Sequence, residues 1–470
     1  MRRALGVWQA TALNLTQMVG AGVFVTIPPL LGLLPGPYAL LAWVVGGALV
    51  LIDGMIWSEL GAAMPGSGGT YRYLLEAYGS RTWGRVMAFL FIWQFLISGP
   101  LELGSGLIAV AQFSTGISPD FQRFNTAWTW KWTLLESQGI AVSVGPSRLV
   151  GFLVGALIIW LLYRNITSLG KITVTVWVGV MAVIAWILLE GGFRFNPSVA
   201  FSASQAPPDL PLKVGAGMIL AIYSFLGYYN VCYVGDEVRD PGKTIPRAIM
   251  ISAVTAVLLY MGIHLALLGT IPWQQVPTDG SMTLPAEFMT RIHGPWAASF
   301  MSLLLVWCCF GSVFAGMLGY SRIPFGAARD GNFFAAFGKI HATREAPHLS
   351  LALIGAMTLL WSFFDLATII SALITTRILE QFVGQAVGVM LLRKNRPDLY
   401  RPYKMLLYPL PPLIAVVGWL YVYFASGWLY IALGAITLAV GLAVYLYWSA
   451  ANLQWPYDKK QPNAESNQGG

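Results

Sequence analysis

The sequence predicts an all-α integral membrane protein of twelve transmembrane helices, with the first and sixth broken near the bilayer midplane. Three observations carry this expectation. Of the 470 residues, 57% are apolar and only 10% charged, and the mean hydropathy is +0.65, so hydrocarbon is the main solvent of the chain. Twelve apolar stretches, centred near residues 20, 48, 97, 155, 180, 225, 258, 307, 356, 380, 417 and 438, are suited to crossing, since a spanning helix takes about 20 apolar residues. Two of them are interrupted, at Val19-Gly20-Ala21-Gly22-Val23-Phe24 and at Tyr223-Ser224-Phe225-Leu226-Gly227-Tyr228. An unwound turn in hydrocarbon strands backbone N–H and C=O groups, which is tolerated only where protein, water or a ligand satisfies them. Paired breaks at corresponding positions therefore point to a substrate site.

Taken in order, the first span follows Arg2 and Arg3, exceeds the length of a signal-peptide core, and lacks a small-residue cleavage site behind it. Its Gly20 and Gly22 are two apart, whereas helix-packing glycines repeat every four residues on one face. The second span holds Asp53 and Glu59 toward its inner half and stops at Pro65, after which glycines turn the chain into a short amphipathic helix with Arg72 and Glu76. The third carries Glu102 two residues beyond Pro100. An outer loop from about Ser114 to Ser147 presents Trp128, Trp130 and Trp132, suited to an interfacial aromatic belt.

Between Ile172 and Leu189 the fifth span has no lysine. His264 in the seventh reads as a core histidine, and Cys232, Cys308 and Cys309 as buried, inert thiols. The tenth span, Ile369 to Leu392, carries Arg377 and Glu380, whose spacing of three residues suits an ion pair on one helical face. Leu429 to Tyr447 is the cleanest span, and a polar tail, 456–470, follows the last helix.

Orientation follows from the basic residues, because short cytoplasmic loops are enriched in Lys and Arg. Placing the first end inside puts 21 of the 28 Lys and Arg on that side. Both termini are thus expected in the cytoplasm, and the net charge of +8 reflects topology rather than a nucleic-acid partner. No metal-ligand spacing, cofactor motif, phosphate-binding loop or cluster of nucleophile, base and orienting group is present, so an enzyme is the least favoured class.

Five segments in register resemble the amino acid, polyamine and organocation permeases over nearly the whole chain. They are Gly20 to Phe24; Glu59 to Tyr73; Asp236-Glu237-Val238-Arg239-Asp240-Pro241-Gly242-Lys243-Thr244-Ile245-Pro246-Arg247-Ala248; Arg322 through Ala327-Ala328-Arg329-Asp330-Gly331 to Pro347; and Leu391 to Tyr403. The resemblance implies a LeuT-type fold of two inverted repeats of five helices, here about 6–190 and 214–392, then peripheral helices at about 405–450, in one membrane domain over 1–455. It further implies a secondary transporter of amino acids in a plasma membrane, bacterial inner membrane here, working by alternating access.

In that family the substrate carboxylate meets backbone N–H groups of the first break, which places Gly20, Ala21, Gly22 and Val23 at the site. The α-amino group meets carbonyls of the second, around Tyr223, Ser224 and Phe225. Freed N–H groups favour an anion and freed C=O groups a cation, so a zwitterion fits both poles. Tyr223 stands where the family carries an aromatic gate. Ala21 stands where many relatives have Ser, so only the backbone contact is expected there. Cys309-Phe310-Gly311-Ser312-Val313 resembles the eighth helix of the L-type exchanger branch, which implies that Ser312 lines the side-chain pocket or a vestigial cation site. Glu102 lies in a motif of branches that carry cationic amino acids or protons. The missing fifth-helix lysine counts against lysine-linked proton coupling, and the outer loop lacks the cysteine that links animal relatives to an ancillary subunit. A polyamine or cationic amino acid carrier using Glu102, and an amino acid sensor without transport, stay open as alternatives. The carried amino acid and the oligomeric state are not fixed by the sequence.

Overall fold

The computed structural model describes residues 3, 5–135, 140–163, 166–202, 204–277, 283–339 and 347–457, so most of the expected polar tail lies outside the described residues. The chain is mostly helical. It opens with α1 (Val7–Met18), α2 (Gly22–Leu33), α3 (Ala39–Ala63), α4 (Thr70–Ala77), α5 (Trp83–Thr115) and α6 (Pro119–Ala127). After a hairpin come α7 (Pro146–Leu162), α8 (Ile166–Phe193), α9 (Pro197–Ala200), α10 (Leu210–Phe225), α11 (Asn230–Tyr233) and α12 (Pro241–Leu268). Then follow α13 (Leu284–His293), α14 (Pro295–Tyr320), α15 (Arg322–Arg329), α16 (His348–Trp361) and α17 (Leu366–Arg377). A π-helical turn, Ile378–Val383, joins α17 to α18 (Gly384–Asn395), and α19 (Leu410–Ala425) and α20 (Trp428–Ala451) close the chain.

Among the described residues, seven helices are long and apolar enough to cross a membrane, or eight if α1 and α2 count as one span bent by 42°. Four shorter apolar helices, α7, α10, α16 and α19, accompany them. These helices make a multi-pass membrane protein. The expectation of purely helical structure needs one correction: the outer loop folds into α6 and an antiparallel hairpin, β1 (Trp130–Leu135) with β2 (Ile140–Val144), in which Trp130 pairs with Val144. Alternating Trp130, Lys131, Trp132 and Thr133 give the two-residue period of a strand. Trp128, Trp130 and Trp132 are each more than half exposed.

Both breaks exist, each a few residues wide. In the first, Val19–Ala21 leave the helix, and Gly20 N–H turns back onto the Met18 carbonyl at 3.0 Å. The second comprises Leu226–Tyr229 and turns on Gly227 at φ +110°, a conformation L side chains rarely adopt. Tyr223, Ser224 and Phe225 therefore form the last turn of α10 rather than the unwound stretch itself.

The two chain ends share one face. Leu5 bridges Val238 there, and Gln454 donates to the Gly331 carbonyl at 3.0 Å. On this face the motif segments bind one another. Glu59 takes Arg393 at 2.5 Å and the Met405 N–H at 2.8 Å, Glu237 takes Arg322 at 2.8 Å, and Asp236 accepts the Ser67 N–H at 3.0 Å. The opposite face, with the hairpin, opens into a vestibule of about 600 Å³.

Candidate substrate site

The two breaks are built against each other. α1 ends and α2 begins at an unwound turn because consecutive small residues there make no side-chain demand. The start of α2 leaves the N–H groups of Gly22 and Val23 without intrahelical acceptors. A Cβ on Gly22 would sit 2.7 Å from the Ser224 Cα, so only glycine lets the α2 backbone approach α10 this closely. Thr26 and Ser224 hydroxyls, 3.1 Å apart, continue the contact one turn on.

Two polar side chains hold backbone groups of the breaks, a third braces the cavity wall, and sequence reasoning singled out none of them. Asn14 on α1 donates to the Tyr228 carbonyl at 2.6 Å and accepts the Val231 N–H at 2.9 Å, so the first broken helix satisfies the second. The Tyr260 hydroxyl on α12 lies 2.7 Å from the Met18 carbonyl and 2.9 Å from the Ser224 carbonyl, one from each break. Gln17 donates to Glu102 at 3.0 Å and to the Tyr320 hydroxyl at 2.8 Å. Polar residues on otherwise apolar helices were the available signal, but a lone Asn, Gln or Tyr does not disclose which distant backbone it serves.

Beside the breaks lies a cavity of about 30 Å³, lined by Ala21, Gly22, Glu102, Tyr223, Ser312 and Val313 among others. That is room for about one water rather than an amino acid. The cavity is closed in this conformation. Tyr223 shuts it toward the vestibule: Ser105 donates to the Glu102 carbonyl at 2.5 Å, leaving Tyr223 to donate to Ser105 at 2.8 Å. Leu220 and Ile108, about one turn away on α10 and α5, already line the vestibule.

Of the other predicted residues, Gly20 packs against Ser312, where a Cβ would collide. Ser312 donates to the Gln17 carbonyl at 2.6 Å, so its hydroxyl caps the end of α1 while its side chain lines the cavity. Ser224 donates to Leu220 at 3.2 Å within its own helix. Val23 is fully buried, and Phe225 packs edge-on against Trp43 at 5.9 Å and with a tilted ring against Tyr260 at 5.1 Å. What Val23 and Phe225 offer the site is backbone.

Glu102 reaches the cavity wall but is fully engaged. Besides Gln17 it accepts the Tyr320 hydroxyl at 2.6 Å and an ion pair from Arg377. Arg377, with no exposure, also donates to the Ser98 hydroxyl at 3.1 Å and carbonyl at 3.0 Å, and stands over the rings of Phe95 and Tyr320. The expected pairing of Arg377 with Glu380 is therefore corrected. The π-turn that begins at Ile378 breaks the α-helical register in which residues three apart face each other, and Arg377 turns to α5 instead. His264, as expected, is a core histidine, accepting from the Trp43 indole at 3.2 Å.

If the Tyr223 hydroxyl latches the site over bound substrate, Tyr223→Phe is expected to raise the KM for uptake about 2- to 10-fold, since one hydrogen bond is worth about 0.5–1.5 kcal/mol. Tyr223→Ala should weaken transport further. Initial rates in proteoliposomes check both, and an unchanged KM in both variants would rule the latch out.

The chain matches the family model described as amino acid permease over residues 5–451. It is 24% identical over 466 residues to the branched-chain amino acid permease of Bacillus subtilis (strain 168), a match covering 96% of this chain and 93% of the relative. It is 27% identical over 416 residues to the cystine/glutamate transporter of Homo sapiens, covering 87% and 77% of the two chains. It is also 23% identical over 424 residues to the serine/threonine exchanger of Bacillus subtilis (strain 168), covering 89% and 90%.

Proposed function

Because this chain belongs to the amino acid permease family, we propose that it is a secondary transporter of amino acids that binds its substrate between the two helix breaks and works by alternating access. The observation that carries this reading is the joint construction of the breaks around one closed cavity, with free N–H groups at the start of α2 and the carbonyl end of α10 beside it. A zwitterion is complementary to those two poles. The substrate carboxylate lies on Ala21, Gly22 and Val23, and the ammonium at the end of α10. The eight long or paired helices plus four shorter ones accord with twelve spans arranged as two inverted repeats of five and a peripheral pair, in one membrane domain over 1–455.

Chain ends on a common face accord with an even number of crossings, and the excess of basic residues puts that face in the cytoplasm of a plasma membrane. The bonded motif segments then close the inner side while the vestibule faces out. Engagement of Glu102 by Arg377 weighs against the polyamine reading, since a substrate cation would have to displace a buried guanidinium. Uptake of a radiolabelled amino acid panel into proteoliposomes, with and without unlabelled amino acids inside, tests the proposal. Saturable uptake of a subset is expected. Amino acids that bind without being moved would favour a sensor, and uptake of polyamines alone would favour the other carrier.

A further inference from the structure

Among the described residues, four acidic side chains are fully or almost fully buried: Asp53, Glu59, Glu237 and Glu380. Three are satisfied. Asp53 accepts from Tyr228 and from the Trp419 indole, Glu59 from Arg393 and the Met405 N–H, and Glu237 from Arg322. Glu380, 3% exposed, has no hydrogen-bond partner at either carboxyl oxygen, and the amide of Gln385, one turn on, has none either.

A buried charge without a partner is expensive. A permanently protonated structural Glu would normally rest its O–H on an acceptor, because buried polar groups are nearly always bonded. Glu380 rests on none, which points to a partner formed in another conformation. Its place supplies a candidate. It lies in the π-helical turn directly after Arg377, and such turns are frequent at functional sites. Arg377 is held here by Glu102 on the cavity wall.

We propose that Glu380 is the proton-binding site of a proton-coupled transport cycle. The inference rests on the reading of the chain as an amino acid carrier. The neutral acid is compatible with the Glu102–Arg377 pair and the closed site. When the bundle rocks, Glu380 releases its proton to water on the inner side, and the carboxylate competes with Glu102 for Arg377, loosening a wall of the substrate cavity. The elements packed against this turn include α5, α17 and α19, which carry Glu102, Arg377 and Tyr423; Tyr229 stands edge-on to Phe382 of the turn, and Trp419, stacked on Phe382, holds Asp53 of α3.

The test uses full-length protein in proteoliposomes and an equimolar mixture of labelled L-amino acids. Exchange is measured against internal unlabelled amino acids, and net accumulation under an inward proton gradient. One proton per substrate and one unit of pH allow about tenfold accumulation. Wild type is expected to approach that ratio. Glu380→Gln, which imitates the neutral acid and should fold, is expected to exchange within about twofold of wild type while accumulation falls to about one. Glu380→Asp should restore accumulation with a displaced pH profile. Independently of any substrate, infrared titration of the protein in lipid should show a carboxylic acid carbonyl band that appears as pH falls and is missing from Glu380→Gln.

Gradient-driven accumulation that survives in Glu380→Gln would overturn the proposal, as would wild-type exchange with no accumulation, or accumulation that follows sodium. A Glu380 band that persists at every pH would do the same, making the residue a fixed neutral core group. Absence of exchange in wild type would fault the carrier reading instead, and the infrared titration then decides whether Glu380 binds an exchangeable proton.

Discussion

Gly22→Val is expected to abolish amino acid uptake while leaving a protein that inserts and runs as a single species in detergent. The added Cβ would lie 2.7 Å from the Ser224 Cα, a backbone atom with no rotamer to change, so relief requires α2 and α10 to separate. Overpacking of this kind costs about 1–3 kcal/mol, spent at the junction where both ends of the substrate must be held at once. Each 1.4 kcal/mol is about a factor of ten in binding, and the second branch of valine adds to the separation. Uptake and counterflow in proteoliposomes, with size-exclusion chromatography for integrity, check it. Gly22→Ala is expected to fall between valine and wild type. A valine variant that transports at the wild-type rate would mean that the approach of the two breaks is irrelevant to binding.

Arg377→Ala is expected to give the largest loss of stability of any change near the site, about 3–5 kcal/mol, because it leaves Glu102 buried beside an unfilled space. The pair itself is a different matter. Replacing both partners with apolar residues, Arg377→Met with Glu102→Leu, is expected to recover most of the lost stability, since buried ion pairs exchanged for well-packed hydrophobes are often neutral. Transport need not return with stability, because the double variant removes a polar wall of the cavity. Thermal unfolding in lipid nanodiscs of the two single variants and the double variant measures the coupling. Equal stability of Arg377→Ala and wild type would show that Glu102 is not charged here.

Much of this architecture was legible because hydrocarbon imposes strict terms. Apolar stretches of the right length disclose spans, and glycines at Gly20, Gly22 and Gly227 disclose where helical backbone is given up. The actual break lies slightly later in the sixth span than the residue pattern suggested, because Tyr223, Ser224 and Phe225 keep their helical turn and Gly227 alone supplies the positive φ. Partnerships were the illegible part. Arg377 and Glu380 read as neighbours on one face, yet a π-turn and the rotation of the helix sent Arg377 to a carboxylate 275 positions away. Asn14 and Tyr260 likewise act on backbone that only the packed bundle brings to them. The hairpin at Trp130 to Val144 was hidden because its tryptophans suit a membrane interface and a strand equally well.

The most direct test of the substrate site is a structure of the protein in nanodiscs with a transported amino acid bound. The substrate is expected beside the first break, with its carboxylate within hydrogen-bonding distance of the N–H groups of Ala21, Gly22 and Val23, its ammonium at the end of α10, and the cavity enlarged around it. An amino acid held only in the outer vestibule, with the cavity between the breaks still closed, would contradict the assignment.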